Sequence, residues 1–488
     1  MDAFWMLAAI LLPLAGGAAL LLLRRAPTRT VRNLALLLTC LTSIIVWGLI
    51  LSGRGSIRLM RFTALLDVEF RLDGLGRFFA GILAALWPLT VLYAHSYMEH
   101  EPRQTAFFSF FTMSYGASLG IAMAANLFTL YFNYEMLTLA TMPLVLHAMT
   151  RQAVRATRTY LLFSLGGAAF AFAAMIFLVT NGAGASFVPG GLLKAHPYAP
   201  EITRIFFVLG FFGFGVKAAV FPLHIWLPKA TVAPTPVTAL LHAVAVVKAG
   251  AFALMRLTWF SFSPDLLRGT WAQWVPLGFA SFTIVFGAVI ALKQGHWKRR
   301  LAYSTVANLS YILFGVLLMT PAGLSAGLIH MAAHACIKIL AFFCAGAVLR
   351  RTGLEYNVQL DGLARKMPLT FAAFTLSALA LTGIPPLNGF VSKWHLLSAA
   401  AEAGGTMAWI GIGALLISAL LTAFYMLGVA VRAWFPGRDR DLSPIAGAKE
   451  ADWRMSLPHV ILSLGVLATG LYAQPVVRAA EAIANSLP

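Results

Sequence analysis

FFGFGVKAAVFPLHIWLPKATVAPTPVTALLHAVAVVKAGAFALMR, residues 211–256, sets the terms for the whole chain. It joins two apolar segments, each with a lysine near its middle, Lys217 and Lys248. The link between them holds Pro222, His224, Pro228, Pro234 and Pro236. A lysine deep in a bilayer costs about 2.5–3.5 kcal/mol on insertion scales, so it is rarely accidental. Pro222 removes a backbone donor from a helix, and hydrocarbon offers nothing in its place. A broken helix beside buried charge points to a polar, hydrated path inside a bundle.

The rest of the chain supports a bundle. Of 488 residues 60% are hydrophobic and only 11% charged, against roughly 25% charged in a soluble domain, and mean hydropathy is +0.81. This is the composition of an all-α polytopic membrane protein. Fourteen apolar segments are expected to span: 4–23, 32–52, 75–97, 106–124, 126–148, 158–180, 203–223, 237–258, 273–292, 301–319, 325–349, 368–397, 407–431 and 455–473. The first has an acidic flank and full spanning length, so it reads as a retained helix and not a signal peptide. Residues 54–74 alternate weakly and are expected to form a short extramembrane hairpin. Residues 181–201 form a Gly- and Pro-rich surface connection, and 476–485 a short amphipathic helix. Cys40, Cys336 and Cys344 all lie in apolar segments without cluster spacing, so no iron–sulfur or zinc site is expected. No glycine-rich nucleotide motif occurs, and no cofactor is expected in this chain.

A formal charge of +19 suggests nucleic acid only until the basic residues are placed. Of 36 Lys and Arg, 22 fall on the side reached after the first segment, 10 on the other, and four inside segments. The positive-inside bias therefore puts both termini outside and the odd-numbered loops in the cytoplasm of a bacterial inner membrane, with lipid and not nucleic acid as the partner.

Glu135 lies nine residues after Asn126, about 13 Å along a helix and near mid-bilayer. Lys248 lies eleven past Val237, about 16 Å by the same rise. Lys338 lies thirteen past Ser325, and Lys393 follows the break TGIPPLNGF, with Gly383, Pro385 and Pro386, in segment twelve. One carboxylate and four ammonium groups thus share similar depth and must face the interior, where an acid and a base are cheapest as partners. A single Glu–Lys pair would serve as well to lock helices together; five such groups argue for a path. His330, His334 and Lys338 are spaced by four, one helix face about 12 Å long. Imidazoles titrate near neutrality and suit a proton relay, whereas a metal site would lack a carboxylate ligand. His242, six residues from Lys248, lies off its face and is equally well read as a satisfied interior histidine. A proline-broken segment with an interior lysine occurs at 203–223 and again at 368–397, a pattern of transport sites.

At these residues the chain resembles the antiporter-like subunits shared by respiratory complex I, membrane-bound hydrogenases and Mrp-type sodium/proton antiporters. The matching stretches are FRLDGLGRFF at 70–79, the Glu135 segment, residues 217–250, KRRLAYSTVANLSYI at 298–312, HACIKILAFFCAGAV at 334–348, and GIPPLNGFVSK at 383–393. The resemblance implies 14 helices with broken helices seven and twelve and two inverted five-helix repeats, 106–258 and 273–431, flanked by 1–105 and 432–488. It makes Glu135 and Lys217 a pair, Lys248 the central lysine, and Lys338 and Lys393 exit-side lysines, with His330 and His334 between. Lys393 stands where M-type complex I subunits usually carry Glu, which favours a D-type Mrp or hydrogenase-type subunit, and no L-type lateral helix is expected. Implied partners are homologous antiporter-like subunits, small membrane subunits and a peripheral redox arm holding the electron carriers. The competing implication is a non-redox cation/proton antiporter, or more remotely a bicarbonate-uptake partner.

Overall fold

The computed structural model describes residues 2–53, 55–63, 66–182, 184, 186–193, 200–437 and 442–487. Arg54, Lys194, Arg438 and Arg440 of the charge count lie outside them. The chain opens with α1 (Asp2–Leu22) and α2 (Thr28–Ser52), then β1 (Ser56–Arg61) and β2 (Asp67–Arg71). There follow α3 (Gly74–Tyr97), α4 (Gln104–Ala122), α5 (Leu127–Val145), α6 (Arg151–Asn181) and α7 (Pro200–Gly215). A broken stretch holds α8 (Trp226–Lys229), α9 (Thr235–Ala243) and α10 (Val246–Arg256), and leads through α11 (Pro264–Leu267) to α12 (Trp271–Lys293). The second half comprises α13 (Trp297–Leu317), α14 (Pro321–Thr352), α15 (Pro368–Thr382), α16 (Asn388–Ala403), α17 (Gly405–Thr422) and α18 (Gly428–Trp434). It closes with α19 (Trp453–Leu471) and α20 (Gln474–Asn485).

Side-chain caps fix several helix starts, which would otherwise leave backbone donors unmet. Asp73, Asn126, Thr150, Thr320 and Asp452 each accept a backbone N–H from the first turn of α3, α5, α6, α14 and α19. The expected hairpin exists: β1 and β2 pair antiparallel, from Ser56 opposite Arg71 to Arg61 opposite Asp67. It is tied to the α4–α5 connection by Arg71 N to Met123 O at 2.7 Å and Ala125 N to Glu69 O at 3.0 Å. The amphipathic terminal helix is α20, packed on α14.

Each of the fourteen apolar segments contains helix, continuous in most and broken in 203–223, 237–258 and 368–397. Among the described residues, nine helical stretches are long and apolar enough to cross a membrane, so this is a multi-pass membrane protein. Segments such as 301–319 fall outside that set by composition: α13 carries Lys298, Ser304, Thr305, Asn308 and Ser310, all buried. At the centre lies α14, which packs against α9, α13, α15, α16, α19 and α20.

Two segment boundaries need correction. The expected 203–223 helix stops at Gly215, seven residues before Pro222. Proline excludes the α conformation from the residue before it and leaves the turn behind without a donor, so the break spreads N-terminally. The expected 237–258 helix is interrupted at Val244 and Ala245, whose N–H groups both donate to Leu240 O at 3.0 and 2.9 Å, and it ends in a π-helical turn at Leu257–Phe262.

Candidate functional site: a buried row of lysine and histidine

The break after α7 is lined by polar substitutes for the lost helix bonds, as a non-helical stretch at membrane depth requires. Trp226 Nε1 donates to Val216 O at 2.8 Å, Tyr134 Oη to Phe214 O at 3.0 Å, and Phe221 N to Thr283 Oγ1 at 3.1 Å. Lys217, in this break, is fully buried. Its ammonium donates to Tyr134 O and stands 3.3 Å over the Tyr134 ring centroid.

Glu135, the next residue, is half-buried, and its Oε1 has no protein partner. No ion pair joins Glu135 to Lys217 among the described residues, although their charges act on each other. The lysine of the pair implied by the resemblance rests instead on the carbonyl of Tyr134, the residue before Glu135. Gly250 brings α10 against this point: a Cβ there would lie 2.8 Å from Lys217 C and 2.5 Å from Ala218 N.

Lys248 and Lys338 are fully buried, and Lys393 is 8% exposed. Lys248 Nζ lies 2.6 Å from His334 Nδ1. The His334 and His330 rings stack with centroids 5.9 Å apart, and His330 Nδ1 is 2.9 Å from Ser392 Oγ. Tyr311 stacks on His330 at 5.1 Å and lies under Lys393 Nζ at 5.3 Å. Lys393 in turn donates to Leu381 O at 2.7 Å and Thr382 O at 3.0 Å, the free carbonyls at the end of α15. Cations belong at such a C-terminus. One α14 face thus links the lysine of α10 to that of α16.

The third residue of that face, Lys338, behaves differently. It donates to Leu301 O at 3.0 Å and to Ser304 Oγ on α13. Grouped with Lys393 by resemblance, it instead sits about 12 Å from His330 along α14, at the far end of the histidine row. His242 is no satisfied histidine: neither ring nitrogen has a protein partner, and it lies within the fields of Lys338, Lys248 and Lys298.

Two participants were not singled out from sequence. Lys298, counted as a loop charge, is 7% exposed and donates inward to Ala233 O at 3.4 Å. Arg256, also counted as a segment-end charge, is fully buried and forms a bidentate pair with Asp73, both bonds 2.6 Å. The rings of Phe187, Phe252 and Phe260 surround it. Burial, the largest single influence, pushes the Asp73 carboxyl up, but the Arg256 charge and hydrogen bonds, the Gly76 N–H and the Arg71 charge together hold the group below its ordinary value. FRLDGLGRFF could have flagged Asp73, because an N-cap aspartate uses one acceptor site for the cap and keeps the rest of its carboxylate for a cation; Arg256 has no such local signature.

Residues 124–422 match the family described as NADH:quinone oxidoreductase/Mrp antiporter, TM. NADH-quinone oxidoreductase subunit N of Desulforudis audaxviator is 33% identical over 417 residues, covering 81% of this chain and 80% of its own. A chain of the archaeal membrane-bound sulfane sulfur reductase superposes with TM-score 0.87 at 23% identity, over 99% of this chain and 97% of that one. A chain of the Mrp complex from Dietzia sp. DQ12-45-1b superposes with TM-score 0.85 at 22% identity, over 100% and 97%. At those identities the two structures share the fold.

Proposed function

Since this chain belongs to the NADH:quinone oxidoreductase/Mrp antiporter family, we propose that it is the proton-translocating membrane subunit of a larger complex and that protons move along its buried Lys–His row. The observation that carries this reading is the 2.6 Å contact between Lys248 and His334, continued through His330 and Ser392 to Lys393. Two cations cannot be partners at such range. A second unit charge at about 5 Å costs about 3 kcal/mol at an effective dielectric of 20, over a hundredfold against double protonation. The row therefore holds fewer protons than sites, which is what a relay needs.

The hydrogen bonds support one set of ring tautomers for such a relay. Ser392 Oγ donates to Gly389 O at 3.1 Å, so it accepts from His330 Nδ1–H and leaves the lone pair on His330 Nε2. Lys248 donates to His334 Nδ1, so the His334 ring proton is on Nε2. A proton passed from Lys248 to His334 Nδ1 releases the one on Nε2 toward His330, whose Nδ1 proton goes on to Ser392 and the Lys393 end. Protons enter from the cytoplasm near Lys217 and Lys248 and leave by Lys393. Movement of Lys217 between Tyr134 O and the unpartnered Glu135 Oε1 changes the field at Lys248 and drives the step.

In this reading all fourteen segments cross a bacterial inner membrane with both termini outside. The repeats are 106–258 and 273–431, between residues 1–105 and 432–488. Other membrane subunits complete the complex, and where it is a quinone reductase or hydrogenase a peripheral arm carries its redox cofactors. A second reading, a D-type component of a cation/proton antiporter without electron transfer, is favoured by Lys393 at a position where M-type subunits usually carry Glu. Purifying the complex separates them: iron–sulfur subunits mean redox, small antiporter partners mean exchange. Glu135→Ala and Lys217→Ala should each abolish proton flux in proteoliposomes while the complex still assembles; full flux in either would refute the toggle.

A further inference from the structure

Proton translocation needs a mouth, and one polar cleft is built for it. It measures about 510 Å³ and is lined by Gln152, Thr231, Gln294, His296, Lys298 and Glu355, among others. These residues come from four connections, α5–α6, α8–α9, α12–α13 and α14–α15, together with the first turns they lead into. The Lys and Arg count assigns all four to the cytoplasmic face, and the fold gathers them round a single opening. Backbone bonds close one wall: Trp297 N donates to Glu355 O and Asn357 N to Gly295 O, both at 2.9 Å.

The rim carries an acid–base pair. His296 Nε2 is 3.5 Å from a Glu355 oxygen, and its buried Nδ1 has no protein partner. Burial, with Lys298 and Arg299 nearby, holds the His296 imidazole below its ordinary value despite Glu355. His296 is thus a neutral base at pH 7, beside a carboxylate exposed to the cleft. At the floor Lys298 turns inward. Lys298, Leu301 and Ser304 follow one face of α13, a climb of about 9 Å. At its top, Leu301 O and Ser304 Oγ hold the Lys338 ammonium. Lys298, Lys338 and Lys248 all act on His242, whose ring lies 5.1 Å from that of Phe342 and whose two buried nitrogens have no protein partner.

We propose that this cleft is the cytoplasmic proton-uptake site of the subunit, with Glu355 and His296 as collectors and Lys298, Lys338 and His242 as the steps leading to Lys248. The proposal rests on the proton-translocation reading and adds to it a mouth in the second half of the chain. It also explains why Lys338 lies away from Lys393: it serves the inlet.

The test uses the intact complex in sealed membrane vesicles. Gln152→Cys, at an exposed position on the cleft, and Gln294→Cys, at a half-buried one, are labelled with a membrane-impermeant cationic methanethiosulfonate. Proton translocation is measured before and after, with reagent applied to one face at a time. Labelling from the cytoplasmic face should slow translocation about tenfold or more, the equivalent of about 1.4 kcal/mol on the barrier; labelling from the other face, or treating the unmodified protein, should leave it unchanged. Full translocation after complete labelling, verified by mass spectrometry, overturns the uptake site. Lys248→Ala separates the two levels. If it abolishes flux while a fully labelled cleft does not, the cleft fails alone; if Lys248→Ala is silent, the translocation reading itself fails.

Discussion

Ser392→Ala isolates one atom of the relay. Ser392 is fully buried on α16, and its hydroxyl makes two contacts: it donates to Gly389 O at 3.1 Å and accepts from His330 Nδ1 at 2.9 Å. His330 Nε2 has no protein partner, so the variant leaves the imidazole with none at all. Leaving a buried polar group unpaired costs about 1–3 kcal/mol. If that cost falls on the proton-carrying state, the transfer slows about five- to 150-fold, at 1.36 kcal/mol per factor of ten. Removal of one hydroxyl creates no large cavity, so assembly should survive. The assay is proton flux in proteoliposomes holding the complex, with subunit content checked on the same preparation. Ser392→Thr retains the hydroxyl and should recover most of the rate. Wild-type flux in an assembled Ser392→Ala complex would refute the tautomer argument.

Two further substitutions probe the packing around the row. Gly250→Ala pushes a methyl group against the Lys217 and Ala218 backbone, at 2.8 and 2.5 Å. Overpacking of this kind costs about 1–3 kcal/mol, so both thermal stability and flux should fall, as read by a melting curve and the proteoliposome assay. Asp73→Asn leaves the Arg256 guanidinium buried without its carboxylate, a loss of about 3–5 kcal/mol, and should sharply lower the yield of assembled subunit. Because the Asp73 carboxyl is held below its ordinary value, its stabilisation is full above the unfolded carboxylate range and is lost only as pH falls through the lowered folded value. A melting scan should therefore show no Asp73-dependent loss between pH 7 and about 5.

What sequence could reveal was set by local chemistry. Pro222 and the run Gly383, Pro385, Pro386 announce their breaks because proline and glycine act on the backbone where they stand. The four interior lysines and Glu135 are visible because charge in an apolar segment is anomalous in itself. The interruption at Val244–Ala245 has no proline or glycine within it. It accompanies the close packing of Gly250 on Lys217, a long-range fit that no local pattern encodes. Lys298 looks like any loop cation until Ala233 O, 65 residues away, is found beside it. Arg256 likewise needs Asp73, 183 residues distant. Depth along a helix is legible, whereas the partner across the bundle is not: Lys338 and His334 share a face yet turn to different helices.

The central claim is that protons cross this subunit through the Lys248–His334 contact. The most direct measurement is proton flux through vesicles containing the purified complex with Lys248→Ala, normalised to subunit content. The account predicts that the complex assembles and flux disappears; flux equal to that of the unmodified complex would contradict it.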